Sequence, residues 1–460
     1  MGNSDMPEDR IVFFNNERTV YLKELLKNSP FEMSAEKKLI ILIADQSIDC
    51  YVSYFFLFYS IHVIIMIDEK IEVNDLDKLL EKYRPNYIVF PKAKNLSQRK
   101  ARVIFECGTY LFTEHNENDL SIHKDLKFLL PTSGTTGEQK FVKLTQKNIE
   151  TNTNDIVGYL GVSKEDIVPT TLPLSYSYGM SVVNSHIVAG AKIYVNSSSV
   201  IEKTFQSDLV NANVTNINGV PTFWEFAKRV GFIENFPSTL RYVTQAGGKL
   251  SNKIILDMYH ACTMRDINFF VMYGQTECSP RMAYLNVNKF PDKIGSVGRP
   301  IDSGRFRFNA RDKFDDKNSA ELIYIGPNVG LGYSKSWKDL SDQDQWNGEI
   351  ATGDIGKMDV DGFYYITGRI KRIHKISGVR IDLDICQMQV RNFIDWDNLF
   401  VIGKDEVLYL VSSAELNWKD LRNFIAFSYS ISPSKIKFVC VNNLPITNGK
   451  ISYYELEKMI

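Results

Sequence analysis

The sequence predicts an α/β protein. It should have a large N-terminal part of parallel sheets flanked by helices, a small β-rich subdomain, and a small α+β unit at the C-terminus. Three observations point there. Up to about residue 290, short apolar runs alternate with amphipathic stretches, the pattern of strands covered by helices on both faces. Beyond it, short strand-like runs are separated by Gly, Asp and Asn. From Ile370 to the end, about 90 residues mix strand and helix patterns in a possible unit of their own.

Taken in order, the run 39–44 (LIILIA) reads as a buried strand. The segment 51–67 (YVSYFFLFYSIHVIIMI) approaches the length of a membrane span. Ser53, Ser60 and His62 interrupt it, and Asp49 and Asp68 flank it, so a buried helix followed by a buried strand accounts for it better. Further strands are expected at 87–90, 128–130, 192–195, 214–216, 242–244 and 269–272, with helices at 74–83, 147–160 and 252–264. The runs 321–325 and 362–367 belong to the β-rich subdomain, placed at about 290–369. In the last unit, 404–412 and 435–441 read as strands and 418–427 as a helix. No internal repeat or low-complexity linker is present in the sequence.

Composition narrows the class. The chain has 460 residues, 44% apolar and 24% charged, which suits a soluble protein of two or more domains. A formal net charge of −1 gives no electrostatic argument for nucleic acid or an anionic membrane. Cysteines 50, 107, 262, 278, 386 and 440 contain no C-x-x-C pair, and the histidines have no metal-ligand spacing. Reduced thiols and a cytoplasmic location are expected, not a disulfide framework or zinc site. The N-terminus has neither a signal-peptide layout nor the myristoylation signature.

One loop carries the most chemistry. Pro131-Thr-Ser-Gly-Thr-Thr-Gly-Glu-Gln-Lys140 packs four hydroxyls and two glycines into six residues and follows Leu129-Leu130 at a strand end. Backbone amides and hydroxyls in such a turn can cradle phosphate, although the Walker pattern is absent and a plain polar loop has the same composition. Downstream stand Tyr273-Gly-Gln-Thr-Glu277, Ala351-Thr-Gly-Asp354, Gly368-Arg-Ile-Lys-Arg-Ile-His-Lys-Ile-Ser-Gly-Val-Arg380 and Pro445-Ile-Thr-Asn-Gly-Lys450. Singly, these read as a strand-end turn, a Gly-Asp turn, a basic strand and a surface lysine.

In this order the five segments resemble the signatures of the AMP-forming adenylating enzymes: acyl- and aryl-CoA synthetases, luciferases and carrier-protein adenylation domains. The similarity covers almost the whole chain and extends to Gly295-Ser-Val-Gly-Arg-Pro300 and Gly332-Tyr333. It is closest to acyl-CoA synthetases. Gln139 departs from the family's usual small or apolar residue, and Tyr453 stands where an Arg is usual.

The resemblance implies an ATP site. Thr132, Ser133, Gly134, Thr135, Thr136, Gly137 and Lys140 would hold the β- and γ-phosphates. Tyr273, Gly274 and Gln275 would lie by the adenine, Thr276 at the α-phosphate, and Glu277 on Mg²⁺. Gly247, Gly248 and Lys249 would lie between nucleotide and acyl group, Asp354 would reach the ribose, and Arg369 the ribose or phosphate. Lys450 would stabilise charge during adenylation, with Thr276 and Glu277 as its catalytic partners. A mobile C-terminal domain (370–460) would pivot on Lys371 against residues 1–369. Lys375, Ser377 and Gly378 would then line a thiol channel.

Pro173-Leu-Ser-Tyr-Ser-Tyr-Gly179 resembles the family's acyl-pocket segment, with Tyr176 in place of a histidine. Tyr176, Ser177, Tyr178, Met180 and Ser181 are the expected acyl pocket. Amino-acid-activating relatives carry an aspartate at the position of Ser177, so an α-amino acid is disfavoured. Arg281 is expected to form a structural salt bridge, or alternatively to meet a second acidic group on the substrate. The implied activity is an acid–thiol ligase using ATP, Mg²⁺ and CoA, or else a phosphopantetheinyl carrier protein acting in trans, with a small carboxylic acid as substrate.

Overall fold

The computed structural model describes residues 9–27, 36–94, 102–132, 140–309, 319–394, 396, 398–447 and 450–460. Its largest sheet has eight strands. Leu39–Ala44 lies at its centre with all six residues buried. Val63–Asp68 and Tyr87–Pro91 flank it in parallel, and Leu126–Pro131 continues the parallel set. The helix Ile48–Tyr59 is capped by Ser47, whose hydroxyl accepts the Cys50 amide, and is buried on every side up to Phe58. A helix apolar all round belongs in a core. The run 51–67 is therefore a buried helix and a buried strand, as expected, and no helix among the described residues is long and apolar enough to cross a membrane.

A five-stranded sheet carries Asn216–Gly219, Tyr242–Gln245 and Asn268–Gly274 in parallel, then Arg281–Asn286 and Arg299–Pro300 antiparallel. A four-stranded sheet joins Ile11–Phe14 and Thr19–Tyr21 to Ile167–Pro169 and Lys192–Tyr194. The β-rich region is an antiparallel sheet of Arg305–Phe308, Ala320–Ile325, Glu349–Met358 and Tyr364–Arg369. Its core of Phe306, Leu322, Tyr324 and Tyr364 packs on Met282 and Ala283 of the neighbouring sheet. The C-terminal residues pack a core of their own: Leu399–Lys404, Val407–Ser412 and Ile436–Cys440 carry the helices Leu383–Ile394 and Trp418–Tyr429.

The α/β class stands, with four differences. The eight-stranded sheet is parallel only at its centre, and the five-stranded sheet is parallel on one side and antiparallel on the other. Both edges of the eight-stranded sheet are antiparallel, one of them the hairpin of Arg102–Cys107 with Tyr110–Glu114, a common way to finish a parallel sheet. The expected single strand 404–412 is a hairpin whose turn residues Asp405 and Glu406 both take positive φ. The strand expected at 214–216 lies instead at Asn216–Gly219, where two asparagines are buried by bonding each other. The helix Ser177–Ala189 is buried from Ser177 to Ile187 and carries no acidic or basic solvent-facing stripe to mark it in the sequence.

Candidate active site

The carboxyl ends of Asn268–Gly274 and Tyr242–Gln245 and the start of Ser177–Ala189 meet at one place. Gly274 ends its strand where a Cβ would sit 1.9 Å from the carbonyl oxygen of Pro280, so only glycine fits. The chain then turns through Thr276–Cys278. The Gln275 amide donates to Pro280 O at 2.9 Å, which fixes the turn.

Three of the predicted nucleotide residues converge. Asp354 lies opposite Arg369 across neighbouring strands and is 3% exposed. Its Oδ1 accepts from Arg369 Nε at 2.7 Å, and its Oδ2 accepts from the Tyr273 hydroxyl. Burial and the adjacent Asp354 push the Tyr273 phenol upward, so it stays a donor.

Glu277 accepts the Tyr333 hydroxyl at 2.7 Å through Oε1. The ammonium of Lys140 lies 3.5 Å from the centre of the Tyr333 ring. Burial, then Glu277, raise the Tyr333 phenol. Tyr333 reaches this position because Gly332–Ser334 pairs with Phe141–Thr145, the strand after the phosphate loop. The Gly332-Tyr333 pair was the only signal for it in the sequence. The Thr132 hydroxyl is buried without a hydrogen-bond partner among the described residues, while its amide donates to Lys140 O at 3.2 Å. Ser133, Gly134, Thr135, Thr136 and Gly137 lie outside the described residues, as do the side chains of Lys371 and Lys450.

A magnesium ion fits what is present. Glu277 offers a half-buried carboxylate whose second oxygen has no donor among the described residues, and the Thr132 hydroxyl is unpaired there. Mg²⁺ takes hard oxygens, usually one or two carboxylates plus phosphates. No cluster of three or more His, Cys, Asp or Glu suggests an all-protein cage among the described residues.

On the acyl side, Ser177 Oγ and Thr276 Oγ1 are 3.1 Å apart. Tyr178 donates to Thr244 Oγ1 at 2.6 Å, because that hydroxyl gives its own proton to Asn218 Oδ1 at 2.7 Å. Burial pushes the phenols of Tyr176 and Tyr178 up to about 12, with the Arg281 charge pulling against it. Two further expected pocket residues lie on the same helix. Ser181 donates to Tyr178 O at 2.7 Å within its own helix, and Met180 packs in the main core. The expected salt bridge of Arg281 is absent: no carboxylate among the described residues pairs with it, and its guanidinium lies 4.1 Å from the Tyr178 ring centre.

Gly247 takes φ +90°, and Gln245 Nε2 donates to Gly248 O at 2.7 Å, holding the glycine turn open toward solvent. Lys249 extends to Met388 Sδ of the helix Leu383–Ile394 at 3.6 Å. Lys375, Ser377 and Gly378 form an exposed hairpin; Gly378 has φ +88°, and the space that a Cβ would enter there is open among the described residues. Lys450 pairs with Thr447 in a short ladder. A cavity of about 250 Å³ lies at the opposite, amino end of the strands, lined by Arg241, Asn268 and Lys289, and holds none of the predicted site residues.

Comparison with known proteins agrees with this geometry. Residues 35–334 match the family model described as "AMP-binding enzyme". A 2-succinylbenzoate–CoA ligase of Bacillus cytotoxicus is 28% identical over 243 residues, 52% of this chain and 49% of that protein. An oxalate–CoA ligase of Arabidopsis thaliana is 28% identical over 298 residues, 62% of this chain and 56% of that protein. The chain thus spans about half the length of the curated relatives it matches. Among solved structures, an o-succinylbenzoate CoA synthetase of Bacillus subtilis with its acyl-adenylate superposes with TM-score 0.76 at 19% identity, covering 98% of this chain and 95% of that one. ATP-bound MatB of Rhodopseudomonas palustris gives TM-score 0.76 at 16% identity, with 98% and 96% covered. At such identities the likeness establishes the fold.

Proposed function

The chain belongs to the AMP-binding enzyme family, and from that premise we propose that it is an AMP-forming acid–thiol ligase that joins a carboxylic acid to CoA. The observation that carries this reading is the convergence at one strand end of Tyr273, Asp354 and Arg369 with Thr276, Ser177, Glu277, Tyr333 and Lys140. Relatives named as CoA ligases support CoA as the acceptor.

In the first step a carboxylate oxygen attacks the α-phosphorus of ATP. The bond to the bridging oxygen breaks, and pyrophosphate leaves with that electron pair. Asp354, held by Tyr273 and Arg369, positions the ribose. Thr276 donates to the α-phosphate beside Ser177. Lys140 and the unpaired Thr132 hydroxyl face the leaving phosphates. Mg²⁺ on Glu277 would supply charge neutralisation for the phosphates. Lys450 stabilises charge at the reacting carboxylate.

In the second step a thiolate attacks the acyl carbon and AMP leaves. We place the mobile unit at 370–460, with Lys371 as its hinge. Its separate core supports this division, and Lys249–Met388 is a contact across it that such a swing would break. The hairpin of Lys375, Ser377 and Gly378, exposed in this arrangement, would then face the thiol. An α-amino acid is disfavoured, since Ser177 is engaged with Thr276 and the nearby buried charge is the cation Arg281.

The test is carboxylate-dependent exchange of ATP with labelled pyrophosphate over a broad acid panel, followed by addition of CoA. Exchange and an acyl-CoA mass are expected. No exchange with any acid overturns adenylation. Exchange without acyl-CoA, rescued by a phosphopantetheinyl carrier protein, moves the acceptor to the carrier.

A further inference from the structure

Arg281 is 3% exposed, yet its charge has no anionic partner among the described residues, and its Nε has no hydrogen-bond partner there. Other arginines of the chain do have one: Arg241 with Asp166 at 2.7 Å, Arg369 with Asp354 at 2.7 Å and Arg372 with Asp384 at 2.9 Å. A buried unpaired guanidinium is costly to the fold.

The backbone of Arg281 is fixed from both sides. Its amide donates to Asn152 Oδ1 at 3.1 Å, and its carbonyl accepts from Asn152 Nδ2 at 2.8 Å and Asn328 Nδ2 at 2.9 Å. Only the side chain is left to choose its surroundings, and it lies against the face of Tyr178, 4.1 Å from the ring centre. Its charge is felt by the phenols of Tyr159, Tyr176 and Tyr178. Among the described residues, the chain presents no carboxylate to it.

The position matters because of what adjoins it. Tyr178 directly follows Ser177, whose hydroxyl meets Thr276 at 3.1 Å, and consecutive Cα atoms are about 3.8 Å apart. Arg281 is itself the register partner of Gly274, two residues before Thr276. The activating hydroxyl pair and the buried guanidinium are therefore neighbours. The helix Ser177–Ala189 also begins here without a side-chain cap, so its amino end adds positive character to the same place.

We propose that Arg281 receives a second carboxylate of the acid substrate, and that the substrate class is a compact dicarboxylic acid. One carboxylate is activated beside Thr276 while the other pairs with the guanidinium over Tyr178. This rests on the adenylation reading above. A packing role alone would be served by an uncharged side chain of similar length. A cation held against a ring face with its Nε unpaired retains donors for an anion, and planar guanidinium is the group best suited to grip a carboxylate.

Pyrophosphate exchange would be measured on the full chain with matched acid pairs: glutarate against pentanoate, adipate against hexanoate, and benzene-1,2-dicarboxylate against benzoate. In at least one pair the diacid should be preferred about 100-fold or more in kcat/KM, since a site built for a polar group rejects the analogue lacking it. Arg281→Met should collapse that preference to below about tenfold, mainly through KM for the diacid, and Arg281→Lys should recover part of it. Monoacids exchanging as well as diacids in every pair would overturn the inference and leave adenylation standing. So would equal loss of both members in Arg281→Met with AMP binding intact, the mark of packing alone. If Arg281→Met does not fold, the wild-type panel and Arg281→Lys decide. Exchange with no acid at all, despite AMP binding, would remove the adenylation reading itself and this inference with it.

Discussion

Arg369 and Asp354 face each other across neighbouring strands, with Nε 2.7 Å from Oδ1, and the other carboxylate oxygen takes the Tyr273 hydroxyl. Residues from three separated motifs thus share one buried carboxylate. The strand register supplies the first contact and the end of the strand Asn268–Gly274 the second. A ribose would meet a carboxylate already held in place, which lowers the ordering cost of binding.

Replacing Asp354 with Asn keeps its shape but turns an amide toward one of two donors. AMP affinity should fall on the order of tenfold or more, the scale of hydrogen bonds to a charged group. Calorimetric titration with AMP checks this. An unchanged Kd would place the nucleotide elsewhere.

Tyr333→Phe removes the donor that orients Glu277 and keeps the ring beneath Lys140. The magnesium concentration needed for half-maximal exchange should rise about tenfold, as for other groups that orient a metal ligand. The KM for the acid should stay within about twofold, because this change touches no acyl-side residue. A magnesium curve that does not move would remove Tyr333 from the site.

Much of the molecule is legible in its sequence. Leu39–Ala44 and Asn252–Thr263 could be placed because uniform apolarity and a capped amphipathic pattern report their environments directly. The motifs gave the expected nucleotide residues in order, and the fold brings Tyr273, Asp354 and Arg369 together. The 404–412 hairpin was hidden because Asp405-Glu406 makes its turn without glycine or asparagine. From its place just past the Glu277 motif, Arg281 is expected to form a structural salt bridge or to meet a second acidic group on the substrate. Whether its partner belongs to the chain is a property of tertiary contacts, which spacing does not encode.

His186 offers a test of stability against pH. Burial pushes its imidazole down to about 4, although Val182 O and Asp166 favour the charged form. Nδ1 donates to Val182 O at 2.7 Å, leaving Nε2 to accept from Asn216 Nδ2 at 3.1 Å, so the neutral tautomer suits the site. The folded value lies below the unfolded one, near 6.5, so between those values the unfolded state binds more protons. Stability is therefore present above pH 6.5 and is lost as pH falls toward 4. The loss approaches about 3 kcal/mol. Urea unfolding across this range should give a steeper dependence for the wild type than for His186→Gln. Parallel slopes would show that His186 keeps an ordinary value.

Lys450→Ala tests the division of labour between the half-reactions. A positioned cation that meets developing charge is worth about 100-fold or more in rate, and that loss should fall on adenylate formation. Thioester formation from a supplied acyl-adenylate should remain within about threefold, because by then the charge at the carboxylate has been neutralised in the acyl–phosphate bond. Single-turnover measurements of each half-reaction separate the two. The mobile-unit reading requires this asymmetry, since under it the strand Lys450–Ile451 would travel with residues 370–460 and leave the acyl group when that unit turns. Equal losses in both half-reactions would mean that Lys450 holds the fold and not the transition state.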